Sequence, residues 1–442
     1  MRKLLILFIT LTLAFTLGCR REDPPAPITA PVSDPPTIAE IPPPPSGPEQ
    51  AENADPSALL EFPTLALPHW RALQGEDATL VLLSQNPFLD PIPPAMQQAA
   101  LNLTRTADAD ELRLRAAPDR PDPLLLPSQA VRAALEAEFF TRVVWLLPTT
   151  ASVESLDLDI FRRQLVETGI LSAPEAESLV VIPGGFGLTL AGVPVDALVP
   201  EYLPRLSGPL ALHVDLSYFQ ILYRNEVKSP VFELMRQTLA DLPLSDWDLR
   251  AATLSLGQGE GRVSADMRFL GHRLARIFAE PDMLQRPPPR PWHEHGDILY
   301  LATFLEMDRV LDAAREAAAR WEEDAPLQFE LYRALRTRRA GSEALDTLGR
   351  VVALDPGYAV EYLNLAALAR TRELPDQELR MLKLSAAQDP RNPFPLLRMA
   401  EIHLDLGQTA AAEKLLTELA ALPWSVEYYP WIPPYIASLR EE

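Results

Sequence analysis

Two side chains that could bind a metal ion lie two residues apart near the middle of the chain. His213 and Asp215 fall within the apolar run Leu210–Leu216, which predicts a buried strand. Alternate residues of a strand point to the same face, so the imidazole and the carboxylate would lie side by side. This pair suits a divalent metal, although such a site normally has three or more protein ligands. A strand-end carboxylate beside a core histidine is the alternative interpretation.

Further candidate catalytic groups follow the next predicted strand. The segment Gly257–Gly261 places Glu260 among three glycines, without the spacing of a phosphate-binding loop. Glu260 is therefore a candidate metal ligand or general base, and Asp266 is a further candidate ligand. The segment Trp292–His295 lacks the spacing of a zinc-protease helix, so an exposed polar linker is its default interpretation. The sequence predicts no bound cofactor, with a divalent metal as the alternative.

The strand that carries His213 and Asp215 resembles a strand of arginase- and deacetylase-like metal hydrolases, which ends in two metal ligands two residues apart. Here the order is His and then Asp, and the other carboxylate and histidine motifs of that family are not visible. The resemblance covers one strand. It implies, as an alternative function, metal-dependent hydrolysis on an arginase-like domain, with the C-terminal part of the chain presenting a substrate or partner.

Residues 58–285 predict an α/β layered domain with a largely parallel sheet. The runs that predict buried strands are Thr79–Leu83, Val143–Leu147, Leu179–Ile182, Leu210–Leu216 and Thr253–Leu256. Helical periodicity separates them over Ser128–Phe140, Leu156–Thr168 and Val231–Leu242. Ligand sites in such sheets lie beyond the carboxyl ends of the strands. A proline-rich hinge is expected at residues 286–295.

The C-terminal part of the chain contains a regular repeat. The dipeptide Asp-Pro stands at positions 355–356 and again at positions 389–390, and apolar residues between the two copies recur every three or four positions. This spacing resembles that of tetratricopeptide repeats, whose units are about 34 residues long, so residues 296–426 are expected to form an all-α array of three or four stacked helix pairs. The aromatic segment 427–442 is expected to cap the last pair.

Stacked helix pairs form a concave surface that binds extended or helical peptides. The resemblance implies a partner-binding groove with these candidate residues: Tyr362, Asn364, Arg370, Leu396, Arg398 and His403. Because nothing in the repeats predicts chemistry, the sequence favours a protein-binding or scaffold role over an enzyme.

Cys19, the only cysteine of the chain, follows a short positive segment, Met1–Lys3, and an apolar run, Leu4–Phe15. This is the pattern of a secretory signal peptide, here residues 1–18. The junction at Cys19 resembles the lipobox of bacterial lipoproteins, although Thr16-Leu17 departs from the family's pattern. The resemblance implies acylation (palmitate) of the Cys19 sulfur, and an uncleaved N-terminal anchor is the alternative.

Residues 19–57 are expected to form a disordered tether, because more than a third of the segment Pro24–Pro56 is proline. As polyproline II this segment could reach on the order of 100 Å. In lipoproteins of bacteria with two membranes, Asp after the acylated Cys marks retention at the inner membrane. Arg20 differs from that signal, so the resemblance implies an outer-membrane anchor with the body in the periplasm, and leaves exposure at the cell surface open.

The charge balance narrows the range of partners. The chain has 40 Lys and Arg against 61 Asp and Glu, a net charge of −21. This argues against nucleic acid and against electrostatic binding to anionic lipid, so membrane attachment would depend on the acyl chains. An envelope protein with a basic surface is the expected partner.

Overall fold

The computed structural model describes residues 57–148, 158–167, 169–219, 231–240, 242–256 and 265–441, which belong to one compact unit. The predicted signal peptide, Cys19 and Glu260 lie outside the described residues, as does the proline-rich tether except for Ser57, which begins the first strand.

The strands of the described chain form one sheet in the order β1–β8–β7–β2–β3–β6–β5–β4. Their bounds are β1 Ser57–Leu60, β2 Thr79–Leu83, β3 Arg142–Leu146, β4 Val180–Ile182, β5 Gly185–Leu190, β6 Val193–Leu198, β7 Pro209–Asp215 and β8 Asp248–Ser255. The six neighbouring strands β1, β8, β7, β2, β3 and β6 all run parallel. The last two strands of the sheet, β5 and β4, are added antiparallel: β5 pairs with β6, and β4 pairs with β5. The predicted fold class, an α/β domain with a largely parallel sheet followed by helices, is confirmed.

The sheet has a hydrophobic core on each face, because its central strands are apolar at nearly every position. Leu80 and Leu82 of β2 pack into one core, and Val81 and Leu83 pack into the other. The surrounding helices are α1 Leu67–Arg71, α2 Gln97–Thr106, α3 Ala109–Arg115, α4 Ala130–Glu136, α5 Leu158–Glu167, α6 Ala173–Glu177, α7 Val231–Ala240 and α8 Arg268–Ala279.

One predicted strand differs in its environment. The run Leu179–Ile182 was expected to be buried, but β4 is the antiparallel edge strand of the sheet, with Val180 49% and Val181 51% exposed. The cause is the antiparallel extension β4–β5–β6, which the sequence did not predict. Glycine, proline and aspartate interrupt the apolar pattern of β5 and β6 and so hide their strand character.

The C-terminal helices form an array of antiparallel pairs. The pairs are α9 Arg290–Thr303 with α10 Met307–Arg320, α11 Ala325–Thr337 with α12 Gly341–Leu354, α13 Val360–Thr371 with α14 Pro375–Gln388, and α15 Phe394–Asp405 with α16 Thr409–Ala420. A last helix, α17 Ile432–Glu441, packs on α16. No helix among the described residues is long and apolar enough to cross a membrane.

The predicted hinge is wrong at its C-terminal half, because α9 already begins at Arg290. Trp292 and His295, expected in an exposed linker, are buried at 3% and 0% exposure. They are three residues apart and so lie on one side of α9, where the ring of His295 packs edge-on against Phe269 of α8.

The array has a regular backbone feature at the turns within the pairs. Leu305, Arg339, Glu373 and Gly407 each follow the first helix of a pair, stand one repeat apart and have φ of 59°, 59°, 55° and 69°. This left-handed conformation is costly for any residue with a Cβ atom. The fourth turn uses the residue best suited to it, and the other three turns do not.

We expect Glu373→Gly to raise the free energy of unfolding by about 0.5–1 kcal/mol, because glycine relieves the left-handed strain but loses more chain entropy on folding. Gly407→Ala should lower it by about 1 kcal/mol, since a Cβ there would contact nothing and only the backbone conformation opposes it. Urea unfolding followed by circular dichroism checks both values. Shifts of the same sign in the two variants would contradict the shared turn geometry.

Candidate functional site

The first candidate site lies at the carboxyl ends of the central strands. The strand that follows β2 in the chain, β3, pairs with one edge of β2. The later strand β7 pairs with the opposite edge, so the direction in which strands are added to the sheet reverses between β2 and β7. Ligand sites of open α/β sheets lie at such a point. The loops after these two strands meet there, because the backbone N–H of Gln85 donates to Oγ of Ser217 at 3.2 Å.

Asp215, the last residue of β7, is 1% exposed at this point and is bound by neighbouring hydroxyls. Its Oδ1 accepts hydrogen bonds from the Ser217 hydroxyl and, at 3.0 Å, from the Ser217 backbone N–H. Its Oδ2 accepts from Oγ of Ser255 at 2.5 Å. Charge-assisted bonds of this kind hold the buried carboxylate in one orientation.

His213 is completely buried, and both of its ring nitrogens have partners on β8. Nδ1 lies 2.8 Å from Oγ1 of Thr253, and Nε2 lies 3.0 Å from Oγ of Ser255. Burial lowers the pKa of His213 to about 3, so the imidazole is neutral near pH 7. His213 and Asp215 therefore lie on the same side of β7, as predicted, and both contact Ser255.

The direction of these hydrogen bonds determines what the cluster can do. Because Ser255 gives its single hydroxyl proton to Asp215, it must accept from Nε2–H of His213, which leaves Nδ1 to accept from Thr253. In a hydrolase triad the histidine lies between serine and carboxylate and accepts the serine proton. Here the serine lies between the other two, so His213 does not activate it as a nucleophile.

The candidate metal ligands His213 and Asp266 are both engaged by neighbouring side chains. A neutral histidine coordinates through a nitrogen lone pair, but both nitrogens of His213 are already hydrogen-bonded. Asp266 lies 3.8 Å from the guanidinium of Arg333 on α11, at the contact with the helix array. Among the described residues no three His, Cys, Asp or Glu side chains are grouped to hold a metal ion.

The predicted groove residues occupy different environments on the array. The Tyr362 ring is buried among the helices rather than at the surface, and Leu396 is half-buried against the same core. Asn364 is exposed and donates to Oε2 of Glu361 at 2.7 Å. Arg370 is exposed at the end of α13. A single groove that contains the whole predicted set is therefore not formed.

The other two predicted groove residues are bound to neighbours on the array. Arg398 on α15 forms ion pairs with Glu378 at 2.8 Å and Glu401 at 2.7 Å. His403 is half-buried, with Nδ1 2.6 Å from Oε1 of Gln408 in the following turn. Both side chains therefore stabilise the fourth pair and its contact with the third.

The three turns between the pairs and the turn after the last pair contact the α/β domain, an arrangement that the sequence did not predict. The contacts join Asp324 to Arg273 at 3.2 Å, Asp355 to Arg268 at 2.5 Å, Asp389 to Arg120 at 2.8 Å, and the Ser425 N–H to the Pro121 carbonyl at 2.8 Å. Three of the four use an aspartate of the array and an arginine of the α/β domain. The regular spacing of Asp355 and Asp389 is the sequence signal of these contacts, but the spacing alone marks only the repeat and does not show the arginine partners.

Comparison of the sequence with models of known protein families and with curated proteins gives no match.

Proposed function

We propose that this protein is a membrane-tethered lipoprotein of the periplasm that binds a partner protein through its tetratricopeptide-like helix array. The observation that carries this proposal is the difference between the two sets of turns. The α/β domain binds the turns between the pairs through Asp324, Asp355 and Asp389. The turns within the first, third and fourth pairs, and the helix end before the first of them, instead carry large apolar side chains exposed by 38–78%: Tyr300, Phe304, Leu305, Leu374 and Leu406.

Exposed apolar groups of this size favour an interaction surface when they are clustered. Tyr300 and Phe304 are in ring contact, with centroids 4.8 Å apart, and Leu305 follows directly at the turn. Aromatic side chains that are held rigidly are typical anchors of protein interfaces. The contacts of the α/β domain with the opposite turns support a role for that domain as the platform that holds the array.

Site-specific photo-cross-linking in cells tests the binding proposal. A photoreactive amino acid at Phe304 or Leu406 should give a cross-linked adduct of defined mass with a partner. The same amino acid at Arg350, which is exposed on the second helix of a pair, is the matched control. Equal cross-linking at all three positions, or none at the turns, would count against the array as a specific binding surface.

The tether gives a separate prediction. Cys19→Ser should abolish labelling by radioactive palmitate and move the protein from the membrane fraction to the soluble fraction, since a serine hydroxyl does not replace the acylated thiol. Arg20→Asp should keep the label but shift the protein from outer-membrane to inner-membrane fractions on a density gradient. Membrane attachment that persists in Cys19→Ser without the label would instead support an uncleaved apolar anchor.

Metal-dependent hydrolysis is the second candidate function, because Asp215 lies at the point where the strand order reverses. Zinc or manganese bound in stoichiometric amount to the purified full chain, and lost in Asp215→Asn, would support it. Retention of the metal in that variant would place the metal elsewhere.

A further inference from the structure

The tripeptide Arg-Thr-Arg occurs twice in the array, one repeat apart. It forms the end of α11 at residues 336–338 and the end of α13 at residues 370–372. Each copy is followed by the left-handed residue of its turn, Arg339 or Glu373. The two copies therefore occupy equivalent positions in the second and third pairs, and their surroundings can be compared residue by residue.

In the second pair, both arginines are neutralised by carboxylates from neighbouring pairs. Arg336 contacts Oε1 of Glu361 on α13 at 2.5 Å. Arg338 contacts Oδ1 of Asp308 on α10 at 2.8 Å. The end of this first helix is therefore shown to accept two carboxylates, one from the pair before it and one from the pair after it.

In the third pair, the residues equivalent to those two carboxylates carry no charge. One repeat after Glu361 the chain has Pro395, and one repeat after Asp308 it has Ser342. Arg370 and Arg372 are exposed, and neither forms an ion pair with any described residue. A cation at a helix C-terminus interacts favourably with the helix dipole. This interaction is the same for both copies, so it does not explain why the arginines of the third pair lack the carboxylate partners that those of the second pair have.

Apolar side chains flank the two arginines. Leu368 precedes them on α13 and is 40% exposed, and Leu374 follows them in the turn and is 38% exposed. We call Leu368, Arg370, Arg372 and Leu374 the third-pair surface. It combines two cations with two leucines, and with Glu373 in the same turn it keeps a net positive charge on a chain whose net charge is −21.

We propose that the third-pair surface binds an acidic segment of the partner protein, in which two carboxylates take the places that Glu361 and Asp308 occupy on the second pair. Guanidinium groups bind carboxylates through short, charge-assisted bonds with defined geometry. The two leucines would contact apolar residues beside the acidic ones. The overall charge predicts basic partners, but this surface requires an acidic one. This inference rests on the proposed binding function and specifies the chemistry of its partner.

The test uses the full chain in detergent and a fluorescein-labelled synthetic peptide of alternating Glu and Leu, with fluorescence anisotropy as the readout. The Arg370→Gln/Arg372→Gln double variant should weaken peptide binding about tenfold or more, which corresponds to losing at least one charge-assisted contact. The Arg336→Gln/Arg338→Gln variant is the matched control and should bind as the wild type does, because its arginines already have partners in the protein.

A third variant tests the comparison between the pairs directly. Ser342 lies one repeat after Asp308, so Ser342→Asp should pair with Arg372 as Asp308 pairs with Arg338. The variant should therefore weaken peptide binding, with the circular dichroism spectrum unchanged. Equal affinity for a peptide with Gln in place of Glu, or equal weakening by both double variants, would overturn the proposal.

Two further outcomes separate this inference from the proposed function. Absence of peptide binding while turn-specific cross-links at Phe304 and Leu406 persist would overturn the acidic partner alone. Binding to phosphatidylglycerol vesicles in place of the peptide, lost in Arg370→Gln/Arg372→Gln, would overturn it in favour of a lipid surface.

Discussion

Replacing Asp355 by Ala is expected to lower the free energy of unfolding by about 3 kcal/mol, because it leaves a buried guanidinium with only the half-exposed Glu61, 3.3 Å away, as a counter-charge. The side chains of Arg268 and Asp355 are only 8% and 10% exposed. Two hydrogen bonds of 2.5 and 2.6 Å join the guanidinium to the two carboxylate oxygens. The same carboxylate accepts from His272 at 2.8 Å and from the Gly357 N–H at 2.9 Å.

The ionisation of Asp355 agrees with this view. Burial by itself would raise its pKa, but hydrogen bonds from His272 and Arg268 outweigh burial and hold the pKa well below its usual range. A depressed carboxylate pKa gives stability that is complete above the unfolded pKa of about 3.9 and is lost as the pH falls below it. The contribution of Asp355 is therefore constant between pH 5 and 7.

Asp389→Ala is the matched control, since Asp389 lies at the same place one repeat later and also pairs with an arginine of the α/β domain. The Asp389 side chain is 44% exposed, so its loss should cost about 1 kcal/mol or less. Urea unfolding at pH 7 gives both values. The double variant Arg268→Met/Asp355→Leu should recover part of the loss, because it removes both charges but still deprives His272 and the Gly357 N–H of their acceptor. A single Asp355→Ala variant as stable as the wild type would refute the buried-pair interpretation.

Acidification from pH 7 to pH 5 is expected to destabilise the protein by roughly 2 kcal/mol through His213 alone. Its pKa is about 3 in the folded state against 6.5 in the unfolded state, because burial disfavours the charged ring. Between these values the unfolded chain binds a proton that the folded chain does not. The stability from this group is complete above pH 6.5 and falls progressively toward pH 3.

The difference in unfolding free energy between pH 7 and pH 5, compared in the wild type and in His213→Asn, measures this term. The variant should show a pH dependence smaller by roughly 2 kcal/mol, since it has no titrating ring at this position. Nuclear magnetic resonance of the folded wild type gives an independent check: the His213 ring signals should not titrate between pH 7 and pH 5. A ring that titrates near pH 6 would contradict the neutral hydrogen-bond chain.

The sequence predicted the elements whose signal is local. Thr79–Leu83 forms a strand because its run of β-branched and leucine residues suits a position covered on both faces. The Asp-Pro dipeptides at 355 and 389 separate successive helix pairs because proline ends one helix and aspartate caps the turn that follows.

What the sequence could not predict depends on partners far apart in the chain. The shared face of His213 and Asp215 followed from strand geometry, but the hydroxyls that bind them come from Thr253 and Ser255 on β8. In the same way, Asp355 was identified as a repeat marker, whereas its partner Arg268 lies far earlier in the chain, on α8. Local periodicity does not determine such pairings, because they depend on the tertiary fold.

The contacts of the α/β domain with successive inter-pair turns fix the number of repeats. In a free-standing solenoid each repeat contacts only its neighbours, so the packing by itself sets no particular number of repeats. Inserting one more helix pair here would move every later turn away from its arginine, and Asp389 would no longer reach Arg120. The α/β domain therefore holds the array at several points along its length, and we expect the array to bend less along its axis than a free-standing solenoid does.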